Sequence, residues 1–491
     1  MNIKYYLFAV IIAVFSSCAH NIDVSSYSKR EFRGAWIQAV NGQWEGLSES
    51  AMKKELTRHL DALEECNANA VFFQVRVECD ALYNSPYEPW SRFLSGRQGV
   101  NPGWDPLAWM IVECHKRGME LHAWINPFRA KTAKTDRLSN RHIAITNPER
   151  IIKYEKLYLL NPGQPENREY ICKIASDIVR RYDVDGLHID DYFYPYPVAG
   201  YTINDNKEFE RYNNGIRNKN DWRRDNVNVF IKQLSDSIRN VKPWVKFGVS
   251  PFGIYRNKRN DSNGSNTNGL QNYDDLYADV LLWVNNGWID YNIPQLYWEI
   301  GHKSADYATL IEWWNKNAAN RPLIIGEDIT RTVKAADLKN PRINQMPEKY
   351  RLHSIYSNVK GTCLWYSRVL ADNLGNYANV LRDAYWSIPA LQPSMPFISK
   401  KAPSKPRKAK AVKIDGKNVL FWTEPKGSNW QNTATKYAIY QYDKDKNVYN
   451  PIGYTTNTFF ELPVGESNST YVVTSLNRID NESNGAKIKV K

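Results

Sequence analysis

At 491 residues the chain exceeds one average domain and suits a large domain joined to a small one. A 42% share of hydrophobic residues excludes global disorder, and a formal net charge of +13 points to an anionic partner, although no nucleic-acid motif directs that charge to DNA or RNA. Aromatics make 13% of the chain, with 17 Trp and 31 Tyr, which suits a cleft where pyranose faces pack on rings; a large aromatic core is the plainer alternative.

The first local signal is a leader. Lys4 precedes an apolar run, 5–15, that is too short for a membrane span. Phe15-Ser16-Ser17-Cys18 resembles a bacterial lipobox, with Phe where Leu is usual. The expectation is a signal peptide over 1–17, lipidation of Cys18 and a polar tether over 18–30. The protein would then be exported and anchored in the cell envelope, on the inner leaflet of the outer membrane or on the periplasmic face. Cys66, Cys79, Cys114, Cys172 and Cys363 fit no metal or redox spacing and read as small buried apolar residues.

Over 31–388, eight β-type runs alternate with helical runs. The β-type runs are 32–40, 69–77, 120–128, 184–192, 246–252, 290–298, 322–330 and 361–368. Most are continuously apolar, as parallel strands covered by helices are. Helical candidates fall at 50–66, 106–117, 166–181, 221–241 and 273–286. The fold class expected is α/β, a (β/α)8 TIM barrel. A doubly wound open sheet is the alternative, but no Gly-rich phosphate loop follows Val40. The longest insertions, 81–105, 129–165, 194–220 and 253–272, follow strand ends, where barrel active sites are built. Residues 389–408, rich in Pro, read as a semi-rigid linker. Short alternating runs over 409–491 resemble a small fibronectin type III-like β-sandwich.

Chemistry-bearing residues gather at the strand ends. The fourth run carries His188, Asp190 and Asp191; with Leu187 and Ile189 toward the helices, His188 and Asp190 point into the barrel mouth. Adjacent carboxylates there are costly to desolvate unless they have a task or a partner. Glycoside cleavage needs a proton donor and a negative group beside an oxocarbenium-like state, so Asp190 and Asp191 are the candidate catalytic pair. The alternative is that one caps a loop and the other pairs with a cation. Gln295 and Tyr297 supply an amide and a phenol for sugar hydroxyls, and Trp298 and Glu299 follow. Glu327 competes as a second carboxylate. Asn126 and Arg129 are polar reach points on the third run; Gln74, Arg76 and Glu78 share a face of the second, with Asp80 beyond. Arg76 could hold a carboxylate or bind an anionic sugar. Trp36, Trp124, Trp298 and Trp365 form a candidate substrate platform.

Six segments occur in order: Phe32-Arg33-Gly34-Ala35-Trp36, Phe73-Gln74-Val75-Arg76, Leu121-His122-Ala123-Trp124-Ile125-Asn126-Pro127, the Asp190-Asp191 pair, Ser250-Pro251-Phe252-Gly253-Ile254 and Pro294-Gln295-Leu296-Tyr297-Trp298. Together they resemble the bacterial family-ten-like glycosyl hydrolases, a barrel family of exported lipoproteins. The resemblance implies cleavage of peptidoglycan glycan strands stripped of their stem peptides. Those strands expose lactyl carboxylates, which suits a basic protein. The fourth run also partly resembles the chitinase pattern, but Tyr192 stands where the catalytic Glu would be, so that acid does not transfer. Two other readings stay open: a non-catalytic carbohydrate-binding lipoprotein, and a glycosidase for dietary or host polysaccharide. No metal-ligand cluster is evident and no cofactor is expected.

Overall fold

The computed structural model describes residues 29–335, 344–463 and 469–490. The expected leader, 1–17, and the expected lipidation site Cys18 lie outside the described residues. Eight parallel strands close into a barrel: β1 (Phe32–Ile37), β2 (Ala70–Arg76), β3 (Glu120–Ile125), β4 (Gly186–Ile189), β5 (Lys246–Val249), β6 (Tyr291–Asn292), β7 (Leu323–Asp328) and β8 (Val359–Trp365), with β8 pairing β1. Seven of the eight β-type runs contain one of these strands, and the eighth, 361–368, overlaps β8, which begins two residues earlier.

The strands are apolar on both faces for two reasons. Outward residues such as Val71, Phe73, Leu121 and Leu187 pack in the main core with the helices, while Phe32, Phe72, Tyr291, Ile324 and Cys363 fill the barrel interior. That interior alternates large and small. A Cβ on Gly186 would stand 2.2 Å from the His122 ring, and one on Gly248 would stand 1.9 Å from the Tyr291 ring. The covering helices start where capping residues dictate. Ser48 caps Glu49–Glu65, Asp105 caps Pro106–Lys116 and Asn218 caps Lys219–Val241, each through its side chain. The run 273–286 is not one helix. It splits into Asn272–Asp275 and Val280–Asn285, with Tyr277 between them at φ 57°.

The insertion after β3 folds back as a three-stranded antiparallel sheet in which Leu157–Leu160 pairs with both Arg129–Lys131 and Ile151–Tyr154. This sheet becomes one wall of the cleft.

Among the described residues the C-terminal unit has seven strands: β9 (Arg407–Ile414), β10 (Lys417–Thr423), β11 (Lys436–Asp443), β12 (Val448–Thr455), β13 (Phe459–Glu461), β14 (Thr470–Leu476) and β15 (Ala486–Lys489). They form antiparallel sheets β9-β10-β13 and β12-β11-β14-β15 around Leu420, Trp422, Ile439, Tyr471 and Val473. The Pro-rich stretch before it is no free spacer. Ala390, Leu391, Gln392 and Met395 are buried. Met395 packs in the barrel interior, and Leu391 packs on Ala438, Tyr440 and Leu476. Gln392 bonds to Asn69 on one side and, through its backbone N–H, to Asp480 on the other. Its apolar residues plug the strand-start end of the barrel, and the sandwich is seated there, opposite the mouth. Trp244 and Trp430 lie 5.8 Å apart across this contact, and Arg478 pairs with Asp183 at 2.7 Å.

Candidate active site

A cleft of about 640 Å³ opens at the C-terminal ends of the barrel strands. Trp36, Trp124, Tyr297 and Trp365 give it aromatic surface, Leu157 and Leu159 come from the inserted sheet, and Asp190 and Asp191 stand within it. Trp365 sits 6.2 Å from both Trp36 and Trp124 and stacks at 6.5 Å on Tyr297. Such a surface suits the apolar faces of sugar rings, with polar groups at the edges to fix orientation.

The two carboxylates differ in environment although they adjoin in sequence. Both are buried. Asp190 accepts a hydrogen bond from the Asn126 side-chain amide and a long one, 3.4 Å, from the Tyr192 backbone N–H. Burial raises its pKa, and the Arg129 guanidinium and these donors oppose that rise. Asp191 accepts from the Tyr196 hydroxyl. Burial first, and then the neighbouring Asp190 charge, push Asp191 up to about 7. Asp191 is therefore the member of the pair suited to keep a proton near neutrality. A proton donor beside an anion is what glycosidic cleavage requires.

Gln295 lines the cleft and donates to the Ser250 carbonyl at 2.9 Å. The Tyr297 phenol is held well above its usual range by burial and stays a donor.

Several expected contacts are elsewhere. Arg76 does not reach the cleft. A register shift between Gln74 and Arg76 in the β2–β3 pairing turns it aside. It is fully buried in a two-point pair with Glu88, at 2.7 and 2.8 Å, and donates to the Asn126 and Pro127 carbonyls. Asp80 is buried too, accepting from the Glu78 backbone N–H and from Gln98. His188 lies beneath the floor, 2.9 Å from Ser250 Oγ and stacked on Tyr291; burial lowers its pKa well below the usual value and keeps it neutral. Asn126 is fully buried behind the cleft surface, with its amide bonded to Gln74 and Asp190. Trp298 packs edge-on against Phe252 behind the wall, and Glu299 is exposed. Glu327 points out of the barrel into an ion pair with Lys349 and accepts from Thr332 at 2.7 Å. Its neighbour Asp328 is the carboxylate of β7 that lines the cleft. Ile324 faces the interior, so alternation puts Asp328 inside and Glu327 outside. That signal was available in the sequence. Tyr196 comes from a loop and Leu159 from the inserted sheet, and neither carried a periodic signal.

Arg129, from the inserted sheet, is a further charged group of the wall. It stacks over the Tyr192 ring at 4.4 Å and is 9% exposed, and its Nη1 is buried without a hydrogen-bond partner.

A barrel with an aromatic cleft and a proton-sharing carboxyl pair at its mouth defines a glycoside hydrolase of the (β/α)8 class. Residues 31–343 match the glycosyl hydrolase-like 10 family, and the chain belongs to that family. It is similar to the glycosyl hydrolase YngK of Bacillus subtilis, 37% identical over 505 residues that span 100% of this chain and 99% of the relative. It is also similar to the glycosyl hydrolase DigH of Escherichia coli K12, 37% identical over 308 residues, 58% of this chain and 70% of that one. Among solved structures, the glycoside hydrolase domain of PgaB (BpsB) from Bordetella bronchiseptica superposes at a TM-score of 0.46 with 12% identity, over 72% of this chain and 99% of that one.

Proposed function

We propose that this glycoside hydrolase cleaves peptidoglycan glycan strands that have lost their stem peptides, with Asp191 as proton donor and Asp190 as the supporting carboxylate. The observation that carries the substrate reading is Arg129. A buried guanidinium nitrogen without a partner, beside the catalytic pair, suits an anion brought by the substrate. The lactyl carboxyl of muramic acid is free only on stripped strands; a stem peptide turns it into an amide. The net charge of +13 favours the same polyanion.

Asp191, protonated near neutrality, gives its proton to the leaving oxygen. Asp190, held as an anion by Asn126 and Arg129, supports the positive charge that develops at the anomeric carbon or orients an N-acetyl group for attack. Gln295 and Tyr297 bond the sugar beside the scissile link. Cys18, as a lipidated residue, would keep the enzyme in the envelope where this polymer lies; mass spectrometry of the mature N-terminus checks it.

The test is incubation of the full chain with intact and with amidase-treated sacculi, followed by identification of released sugars. Release from treated sacculi alone is expected, and Arg129→Gln should raise KM on them about 10-fold or more. Equal release from both, or none from either, would overturn the reading.

A further inference from the structure

We propose that Gln74 is a positioning residue that fixes the polarity of a hydrogen-bond chain ending on Asp190. The proposal rests on the reading of Asp190 as the supporting carboxylate. The chain links the ends of four neighbouring barrel strands, β1 to β4. The backbone N–H groups of Ala39 and Val40, just past β1, both donate to Gln74 Oε1, at 2.7 and 2.9 Å. Gln74 Nε2 on β2 donates to Asn126 Oδ1, past β3, at 2.6 Å. Asn126 Nδ2 donates to Asp190 Oδ2, past β4.

The directions follow from chemistry. A backbone N–H can only donate, so the Gln74 atom that meets two of them is the oxygen. Its nitrogen then faces Asn126, whose oxygen must receive it. The Asn126 nitrogen is left to face Asp190. Both amides are 0% exposed, and turning breaks three bonds at once for Gln74 and two for Asn126. Two backbone donors at the end of β1 therefore decide that Asp190 meets a donor and not an acceptor. This favours its anionic form and fixes the aim of its oxygens.

The charged and titratable groups facing Asp190 are Arg129 from the inserted sheet, Asp191, Tyr192 and Tyr196 from its own loop, and Tyr297 from the β6 exit. None of them touches Gln74 through the bonds above, so the relay is open to separate testing.

Gln74→Glu keeps the shape and removes the donor. Two acceptor oxygens would turn the Asn126 amide over, and its oxygen would face the carboxylate. The measurement is a titration of the full chain labelled at aspartate 13Cγ, with the Asp190 signal assigned by its loss in Asp190→Asn. Gln74→Glu should raise the Asp190 midpoint by about one pH unit. In an Asn126→Leu background the same change should give less than about a third of that rise, because the route is cut. Gln74→Met, uncharged and donating nothing, should raise the midpoint as well. An equal rise with and without Asn126 would show a simple charge effect and overturn the relay. An unchanged midpoint in Gln74→Met would overturn it independently. No substrate enters the titration, so failure of the sacculus assay and failure of the relay are separate results.

Discussion

Asp190 and Asp191 adjoin in the chain but differ in environment, and the roles proposed for them rest on that difference. Asn in place of either should lower kcat by roughly 10²–10⁴-fold, as for a positioned acid or its partner. The pH dependence follows from the proton on Asp191. Activity should fall as pH rises through about 7, where Asp191 loses that proton. Stability carries the same sign. A carboxyl raised in the folded state binds its proton more tightly there than in the unfolded chain. Its contribution is full below the unfolded value, near ~4, and is lost as pH rises toward the folded one. Asp191→Asn should therefore raise Tm at pH 8, by a margin that shrinks toward pH 4; a loss of Tm at pH 8 would mean that Asp191 is structural. Arg76 is the contrasting case. Arg76→Ala strips the buried Glu88 of its partner and should cost about 3–5 kcal/mol in denaturant unfolding, with KM on treated sacculi unchanged while the fold holds.

At the scale of elements, the barrel works by alternation and by the places where alternation stops. Gly186 and Gly248 leave room for His122 and Tyr291, which with His188 and Phe72 fill the layer beneath the cleft floor. Gly248→Ala puts a methyl inside the Tyr291 ring and should destabilise the chain by about 1–3 kcal/mol, read by chemical denaturation, with a loss of activity as Tyr291 and His188 are displaced. The irregularity in β2 is equally consequential. Before it Gln74 lines the cleft, and past it Arg76 does not.

For the whole molecule, the sandwich and the Pro-rich stretch close one end of the barrel while the chemistry occupies the other. Removing everything after Pro393 would uncover Leu391, take Met395 out of the barrel interior and leave Trp244 and Asp183 without Trp430 and Arg478. Calorimetry of such a truncated chain should show Tm lowered by on the order of 5 °C or more relative to the full chain. An unchanged Tm would mean that the sandwich merely rides on the barrel.

The eight strands, the main helices and the Asp190-Asp191 pair were legible in the sequence because each rests on local information: apolar runs, capping residues, and carboxylates too costly to bury without a purpose. Trp36, Trp124, Gln295, Tyr297 and Trp365 were legible for the same reason, since they stand at strand ends. Local pattern could not assign Arg76 or Asn126; for Glu327 it could, since alternation from Ile324 turns Asp328 inward and Glu327 outward. Arg76 was turned aside by a register shift that depends on pairing with β3. Asn126 was consumed by partners 52 and 64 residues away. Glu327 was claimed by Lys349, 22 residues on, while Asp328 faced inward. The docking of the Pro-rich stretch was hidden likewise, because Leu391 and Met395 are apolar residues whose partners lie on the barrel and the sandwich. Sequence determined which chemistry was present and near which strand ends. Tertiary structure alone decided which polar groups meet substrate and which meet each other, because a buried polar side chain is assigned by the partner that satisfies it, and that partner is seldom close in the chain.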